Sequence, residues 1–200
     1  MKITAIKQQV KRADRYSIYV DEKYSFSFGE SELLASHLRL NQELSQQELE
    51  GLRNKAVLDK AYDRSLNLIS RRQRSEWELA HYLRGKEYEP GVIEATCSRL
   101  RERGYLDDAK FAGAWIRNRR MLKPTSKRRL SQELRAKRVS DEVIAEALGL
   151  DETDEMEVLR ELVLKKRKLL RFHDDQKLMQ YLARQGYSFD DIKSALRGED

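Results

Sequence analysis

The chain has 200 residues, of which 40% are hydrophobic and 37% charged, with nine Gly, two Pro and a net charge of +6 at pH 7. So few helix breakers among so many charges predict long helices over several small cores, not one large interior. A single cysteine, Cys97, rules out an internal disulfide framework, and no stretch approaches membrane-spanning length.

The first thirty residues read differently from the rest. Ile3, Ile6 and Val10 open an apolar segment, and Tyr16, Ile18 and Val20 then alternate with Arg15, Ser17 and Tyr19. After an Asp21-Glu22-Lys23 turn, Tyr24, Phe26 and Phe28 alternate with serines up to Gly29. Period-two patterning in aromatic and β-branched residues predicts a small antiparallel meander over 1–30. Too small to stand alone, it must pack on the helices that follow.

From Ser31 onward the pattern predicts helix, with connecting helices over 31–58. Ser45 and Glu48 form a capping box before Leu49, Leu52, Ala56 and Leu58. Ser75 and Glu78 have the same spacing, Pro90 suits a first helical position, and Gly104 a left-handed C-terminal cap. Asp107 or Asp108 then caps a helix containing Phe111, Ala112, Trp115 and Ile116.

Within this helical region one pattern occurs three times. It reads Ser75, Leu79, Leu83, Tyr88, Ile93; then Ser126, Leu130, Leu134, Val139, Ile144; then Asp174, Leu178, Leu182, Tyr187, Ile192. The offsets are four, four, five and five in every copy. A period near fifty residues marks supersecondary units that bury their apolar faces by stacking. The predicted fold is mainly α: three tandem three-helix repeats over 59–106, 107–150 and 151–200, in an elongated stack behind the meander. Such folds serve more often as binding surfaces than as pocket enzymes.

Charge is strongly segregated. Between Phe111 and Val139 lie ten Lys or Arg and one acid, Glu133, whereas Ser140–Glu161 holds nine acids and one base. Three basic clusters occupy corresponding places, at the end of each repeat's first helix or in the loop after it. They are Arg71, Arg72 and Arg74; Arg117, Arg119, Arg120, Lys123, Lys127, Arg128 and Arg129; and Lys165, Lys166, Arg167 and Lys168, with Arg171 just beyond. A solvated helix face explains any one cluster; recurrence at equivalent positions points to a surface for a polyanion or an acidic protein. Six phosphate contacts would give a log K against log salt slope of about −5. No aromatic is interleaved in these runs as a single-strand stacking platform would require, and Trp77 and Trp115 read as packing residues.

Catalytic signatures are lacking. There is no Gly-rich phosphate loop, and His37, His81 and His173 lack metal-ligand spacing. The pairs Asp107-Asp108, Asp174-Asp175 and Asp190-Asp191 each precede an apolar helical segment, where carboxylates cap exposed N–H groups. Cys97, flanked by Ile93 and Leu100, reads as a buried helix position. No cofactor is expected. The N-terminus lacks the apolar run of a signal peptide, so a cytoplasmic, reducing location is expected.

The segment from Leu68 to Leu79 (LISRRQRSEWEL), with Leu83-Arg84-Gly85-Lys86-Glu87-Tyr88, resembles the first repeat of the bacterial RecX family of regulatory proteins. Gly104-Tyr105-Leu106-Asp107-Asp108, leading to Phe111-Ala112, is similar to that family's most recognisable motif. Lys123-Pro124, Leu130, Glu133-Leu134-Arg135 and Lys137 match its second repeat, with Arg138 where Gly is common. The resemblance spans about Ala61 to Leu148; the third repeat is looser.

It implies an elongated curved stack of three-helix units that acts as a non-enzymatic modulator of the recombinase RecA. Such a protein lies in the groove of the RecA–single-stranded DNA filament, limits its extension and suppresses ATPase, strand-exchange and coprotease activity. The implied partners are that filament and single- or double-stranded DNA without sequence preference. No membrane partner is implied, and a monomer is expected. The competing readings are a helix-turn-helix-like DNA-binding module or repressor, and an adaptor that uses its acidic Ser140–Glu161 segment to hold a basic partner.

Overall fold

A computed structural model of the protein describes residues 1–197; the end of the third repeat, 198–200, lies outside the described residues. The chain forms two compact units: Met1–Arg74 with Glu78–Leu106, and Ser75–Trp77 with Asp107–Asp200.

The first unit opens with the antiparallel sheet, β1 (Ile3–Gln8), β2 (Arg15–Val20) and β3 (Lys23–Gly29), in that order. Asp21 and Glu22 both have positive φ, as a two-residue type I′ hairpin requires. β1 stops at Gln8, so Val10 lies fully in solvent and not in the apolar segment. The alternation puts Ile18, Val20, Phe26 and Phe28 on one face, where they pack with Ile3, Leu44, Leu49 and Ala56.

Helix α1 (Glu30–Ala35) is short, and residues 36–45 are not helical, contrary to the periodicity. Here the chain runs beside the N-terminus. The Ile3 amide donates to Gln42 O at 2.9 Å and the Leu44 amide to Met1 O at 2.7 Å, with positive φ at His37 and Asn41. Pairing with β1 satisfies backbone groups that a helix would otherwise have paired internally.

Helix α2 (Gln46–Ile69) opens on the Ser45–Glu48 capping box and runs without a break through residue 58. It spans both cores of this unit. Its N-terminal half supports the sheet, and its C-terminal half supplies Ala61 and Tyr62 to the first repeat. These pack with Leu79 and Leu83 of α3 (Glu76–Arg84), Ile93, Cys97 and Leu100 of α4 (Pro90–Glu102), and Leu106. Buried Arg15, 3% exposed, ties sheet to helix: it pairs with Asp59 at 2.9 Å and with Asp63, while Asp59 accepts the Gly29 amide at 2.8 Å. Burial, reinforced by neighbouring Asp59, pushes the Asp63 carboxyl up despite Arg15.

The second unit holds two three-helix repeats. They are α5 (Asp108–Leu122), α6 (Lys127–Ala136) and α7 (Asp141–Gly149), then α8 (Glu155–Arg167), a 3-10 turn (Leu170–Phe172), α9 (Asp175–Arg184) and α10 (Phe189–Arg197). Phe111, Ala112, Ile116, Leu130, Leu134, Val139 and Ile144 fill one core; Leu159, Leu162, Val163, Phe172, Leu178, Leu182, Tyr187 and Ile192 fill the other.

The five-position pattern now has a physical basis. Ser126 and Asp174 are N-caps, each accepting backbone N–H groups of the turn it opens. The leucine four residues on is the first apolar side chain inside the helix. The second leucine begins a Schellman turn: Val139 N–H returns to Leu134 O and Arg138 N–H to Arg135 O, and in the next repeat Tyr187 returns to Leu182 and Gly186 to Ala183. The first repeat does the same, Tyr88 to Leu83 and Glu87 to Arg84. Val139, Tyr88 and Tyr187 also precede the next helix, five residues before the isoleucine they staple. The turn demands positive φ at Glu87, Arg138 and Gly186, so Arg138 adopts the family glycine's conformation at φ 59°.

The caps also link the repeats of this unit. Ser126 Oγ donates to Gln185 O, the C-cap of α9, at 2.6 Å, and the Lys127 amide donates to Glu155 Oε1 at 2.8 Å. The segment Ser75–Trp77 repeats both contacts: Ser75 Oγ donates to Lys137 O at 3.0 Å and the Glu76 amide to Asp108 Oδ1 at 2.8 Å.

Candidate polyanion-facing surface

The basic block of the second repeat is less uniform than its sequence. Glu133, half-buried, collects much of it: Arg119 Nε donates at 2.7 Å, Trp115 Nε1 at 3.0 Å, and Arg129 Nε lies at 3.6 Å. Arg119 also stacks on Trp115 at 4.9 Å and Lys137 on the same ring at 4.4 Å. Trp115 therefore packs beside Phe111, as its helical spacing predicts, and also seats two cations.

Arg120 turns inward. Its side chain is 10% exposed, pairs with Asp151 (8% exposed) at 2.8 Å, and donates through Nη1 to Thr125 O. Burial works to raise the Asp151 carboxyl, but hydrogen bonds from Thr153 and Arg120 outweigh it and hold it below its usual range. Arg167 holds the matching place in the third repeat, donating to Phe172 O at 3.1 Å and His173 O at 3.2 Å and pairing with Asp175. Both arginines fasten the loop before an N-cap. A planar fork reaching two carbonyl or carboxylate groups suits that task.

Of the remaining predicted residues, Arg72 makes two contacts to Glu78, at 3.2 and 3.3 Å. Arg74 is half-buried, and burial followed by neighbouring Arg72 lowers its pKa. Lys166 lies over the Tyr181 ring at 5.0 Å, and Lys127 is half-buried. Arg71, Arg117, Lys123, Arg128, Lys165 and Lys168 are exposed and make no ion pair with any described residue.

Two features set this surface apart. Lys127, Arg128 and Arg129 form the first turn of α6, with no acid there, so three cations crowd the positive end of a helix dipole. Glu133 offsets Arg129, and the Glu155 carboxylate on the Lys127 amide offsets part of the helix terminus, so the cost, about 0.3–1 kcal/mol at low salt, falls chiefly on Arg128. Among the third helices α7 alone is acidic, with Asp141, Glu142 and Glu146 and no Lys or Arg; in α10 Asp190 and Asp191 are balanced by Lys193 and Arg197, and in α4 Glu94 and Glu102 by Arg99 and Arg101. The sequence leaves open whether the basic and acidic blocks on either side of Val139 pair; within the chain Asp151 and Glu155 are acids that do so, and charge counting does not single them out. Their only trace in the sequence is the acidic run itself.

Among the described residues no group of His, Cys, Asp and Glu could hold a metal ion, and no helix is long and apolar enough to cross a membrane. Together, an N-terminal sheet on a long helix, repeated three-helix units and cations gathered at first-helix ends define a helical-repeat protein with segregated surface charge. Family models match along nearly the whole chain. The RecX N-terminal domain covers residues 1–45, and the first, second and third three-helix domains of RecX cover 61–100, 107–148 and 152–196. The chain belongs to the RecX family of regulatory proteins.

It is 34% identical over 199 residues to regulatory protein RecX of Bacillus subtilis, covering 97% of this chain and 75% of the relative. To that of Listeria welshimeri it is 30% identical over 204 residues, covering 98% and 74%. A crystal structure of regulatory protein RecX matches with a TM-score of 0.78 at 27% identity over 98% of both chains. RecX from Lactobacillus salivarius shares the fold, with a TM-score of 0.63 at 23% identity over 71% of this chain and 96% of the other.

Proposed function

We propose that this protein regulates RecA by binding the RecA–single-stranded DNA filament in its groove, limiting filament extension and suppressing ATPase, strand-exchange and coprotease activity without catalysis of its own. The observation that carries this reading is the crowding of cations in the first turn of α6, against its dipole, within a RecX-family repeat. Side chains placed where local electrostatics disfavours them mark a surface kept for a partner. We assign the contacts chiefly to the exposed cations Arg71, Arg117, Lys123, Arg128, Lys165 and Lys168. Several weak contacts on one polymer add through effective concentration. A sequence-reading helix-turn-helix module fits less well in the second repeat, because its third helix, α7, is acidic and would face phosphate.

The test is RecA ATP hydrolysis on single-stranded DNA during substoichiometric titration of this protein. A progressive fall in rate is expected. The triple reversal of Arg117, Lys123 and Arg128 to Glu should remove that fall while leaving the unfolding midpoint in place. An unchanged rate at equimolar wild-type protein overturns the reading.

A further inference from the structure

In the third repeat a cleft of about 470 Å³ opens between the 3-10 turn and α9. That size falls within the range of small-ligand pockets, about 300–1,000 Å³. Three cations, Arg171, Lys177 and Arg184, line it together with Phe172, Tyr181 and Gln180, and among the described residues no carboxylate lines it. The rings of Phe172 and Tyr181 meet at 5.0 Å and 48°, and Arg171 sits over Phe172 at 4.6 Å.

Arg184 Nε donates to Gln180 O of its own helix at 3.2 Å, and comparison with the second repeat shows why no half-buried carboxylate neutralises these cations. Tyr181 immediately precedes the second core leucine, Leu182; the residue before Leu134 is Glu133. Lys177, before Leu178, corresponds to Arg129 before Leu130, and Lys166 and Arg119 each lie twelve residues after their helix's N-cap. In the second repeat Glu133 takes Arg119 and Arg129. In the third, Lys166 meets an aromatic ring, and Lys177 has only the exposed capping carboxylate of Asp174 at 3.6 Å. A surface pair of that kind contributes little.

We propose that this cleft binds one nucleotide step of single-stranded nucleic acid, with a base against Tyr181 and its flanking phosphates on Arg171, Lys177 and Arg184. The inference rests on the polyanion-facing reading and adds to it a stacking subsite. An acidic peptide would need the cations alone, whereas aromatic faces beside cations are what single-strand sites combine.

The full chain is titrated into fluorescein-labelled oligothymidylate and followed by anisotropy over a range of salt, with poly-glutamate as competitor and RecA ATPase measured in parallel. Tyr181→Ala should weaken oligothymidylate binding about tenfold, while Tyr181→Phe, which keeps the ring, stays close to wild type. Lys177→Gln and Arg184→Gln should each flatten the log–log salt dependence by about 0.7. Both of those residues are exposed, so they decide the matter if Tyr181→Ala fails to fold. Equal loss of poly-glutamate binding in Tyr181→Ala overturns the nucleotide assignment in favour of an acidic-peptide site. Unchanged oligothymidylate binding in every variant, with RecA inhibition intact, overturns the cleft and leaves the proposed function standing. Tyr181-dependent binding by a protein that does not inhibit RecA does the reverse.

Discussion

The second and third repeats share a frame down to the hydrogen bonds of their caps, yet they dispose of charge in opposite ways. In the second, Glu133 draws Arg119, Arg129 and Trp115 into a closed cluster, and Asp151 takes Arg120. In the third, Tyr181 stands at the Glu133 position, and its cations line a cleft. The buried positions of the repeat determine where the helices lie. The residue beside the second core leucine, half in solvent, determines whether the surface is neutralised or left charged.

That contrast can be broken first at the loop fasteners. Arg120→Ala strands the buried Asp151 carboxylate and should cost about 3–5 kcal/mol in chemical denaturation. Arg167→Ala, whose partner Asp175 is 67% exposed, should cost about 1 kcal/mol. Equal losses would show that burial does not separate the two repeats.

A smaller effect is expected at the Schellman turns. A Cβ on Gly186, at φ 98°, would sit 2.6 Å from Ser126 Oγ, so Gly186→Ala should cost about 2–3 kcal/mol. Arg138 adopts the same turn as a non-glycine residue, and Arg138→Gly should stabilise the chain by about 0.5–1 kcal/mol, read as the denaturation midpoint.

Acid should act on the same clasp. The Asp151 carboxyl titrates below its usual range in the folded chain, so its contribution is complete above about pH 4 and fades as pH falls through the folded value. Asp151→Asn should remove that part of the acid limb from a stability–pH profile.

The mildest change is Glu133→Gln, which releases Arg119 and Arg129 without altering shape. The second repeat should then resemble the third, steepening the salt dependence of single-stranded DNA binding by about 0.7 for each arginine that reaches phosphate. An unchanged slope would place those arginines away from the nucleic acid.

The repeat was legible in the sequence because its marker positions are the ones backbone geometry constrains most: N-caps, core leucines and the residue shared by a Schellman turn and a staple. The meander was legible for the same reason, through the strict alternation of Tyr16, Ile18, Val20, Phe26 and Phe28. Residues 36–45 were not, since their structure depends on pairing with Ile3 and Met1, which local periodicity does not record. Nor did charge counting separate Arg120 and Arg167, which clasp their own loops, from Arg128 and Lys168, which stand in solvent. Aligning the repeats would have shown an arginine thirteen residues beyond the N-caps Asp107 and Asp154 in both, a pattern more typical of structure than of a solvated face.

The hydroxyls of Ser75 and Ser126 bind main-chain oxygens, Lys137 O and Gln185 O. A joint that recognises a carbonyl is indifferent to the side chain beyond it, which is why a lysine in one copy and a glutamine in the other serve alike. The surface of each repeat can therefore differ while the joint stays the same: one way of fastening segments together serves a repeat that carries Glu133 and another that carries Tyr181.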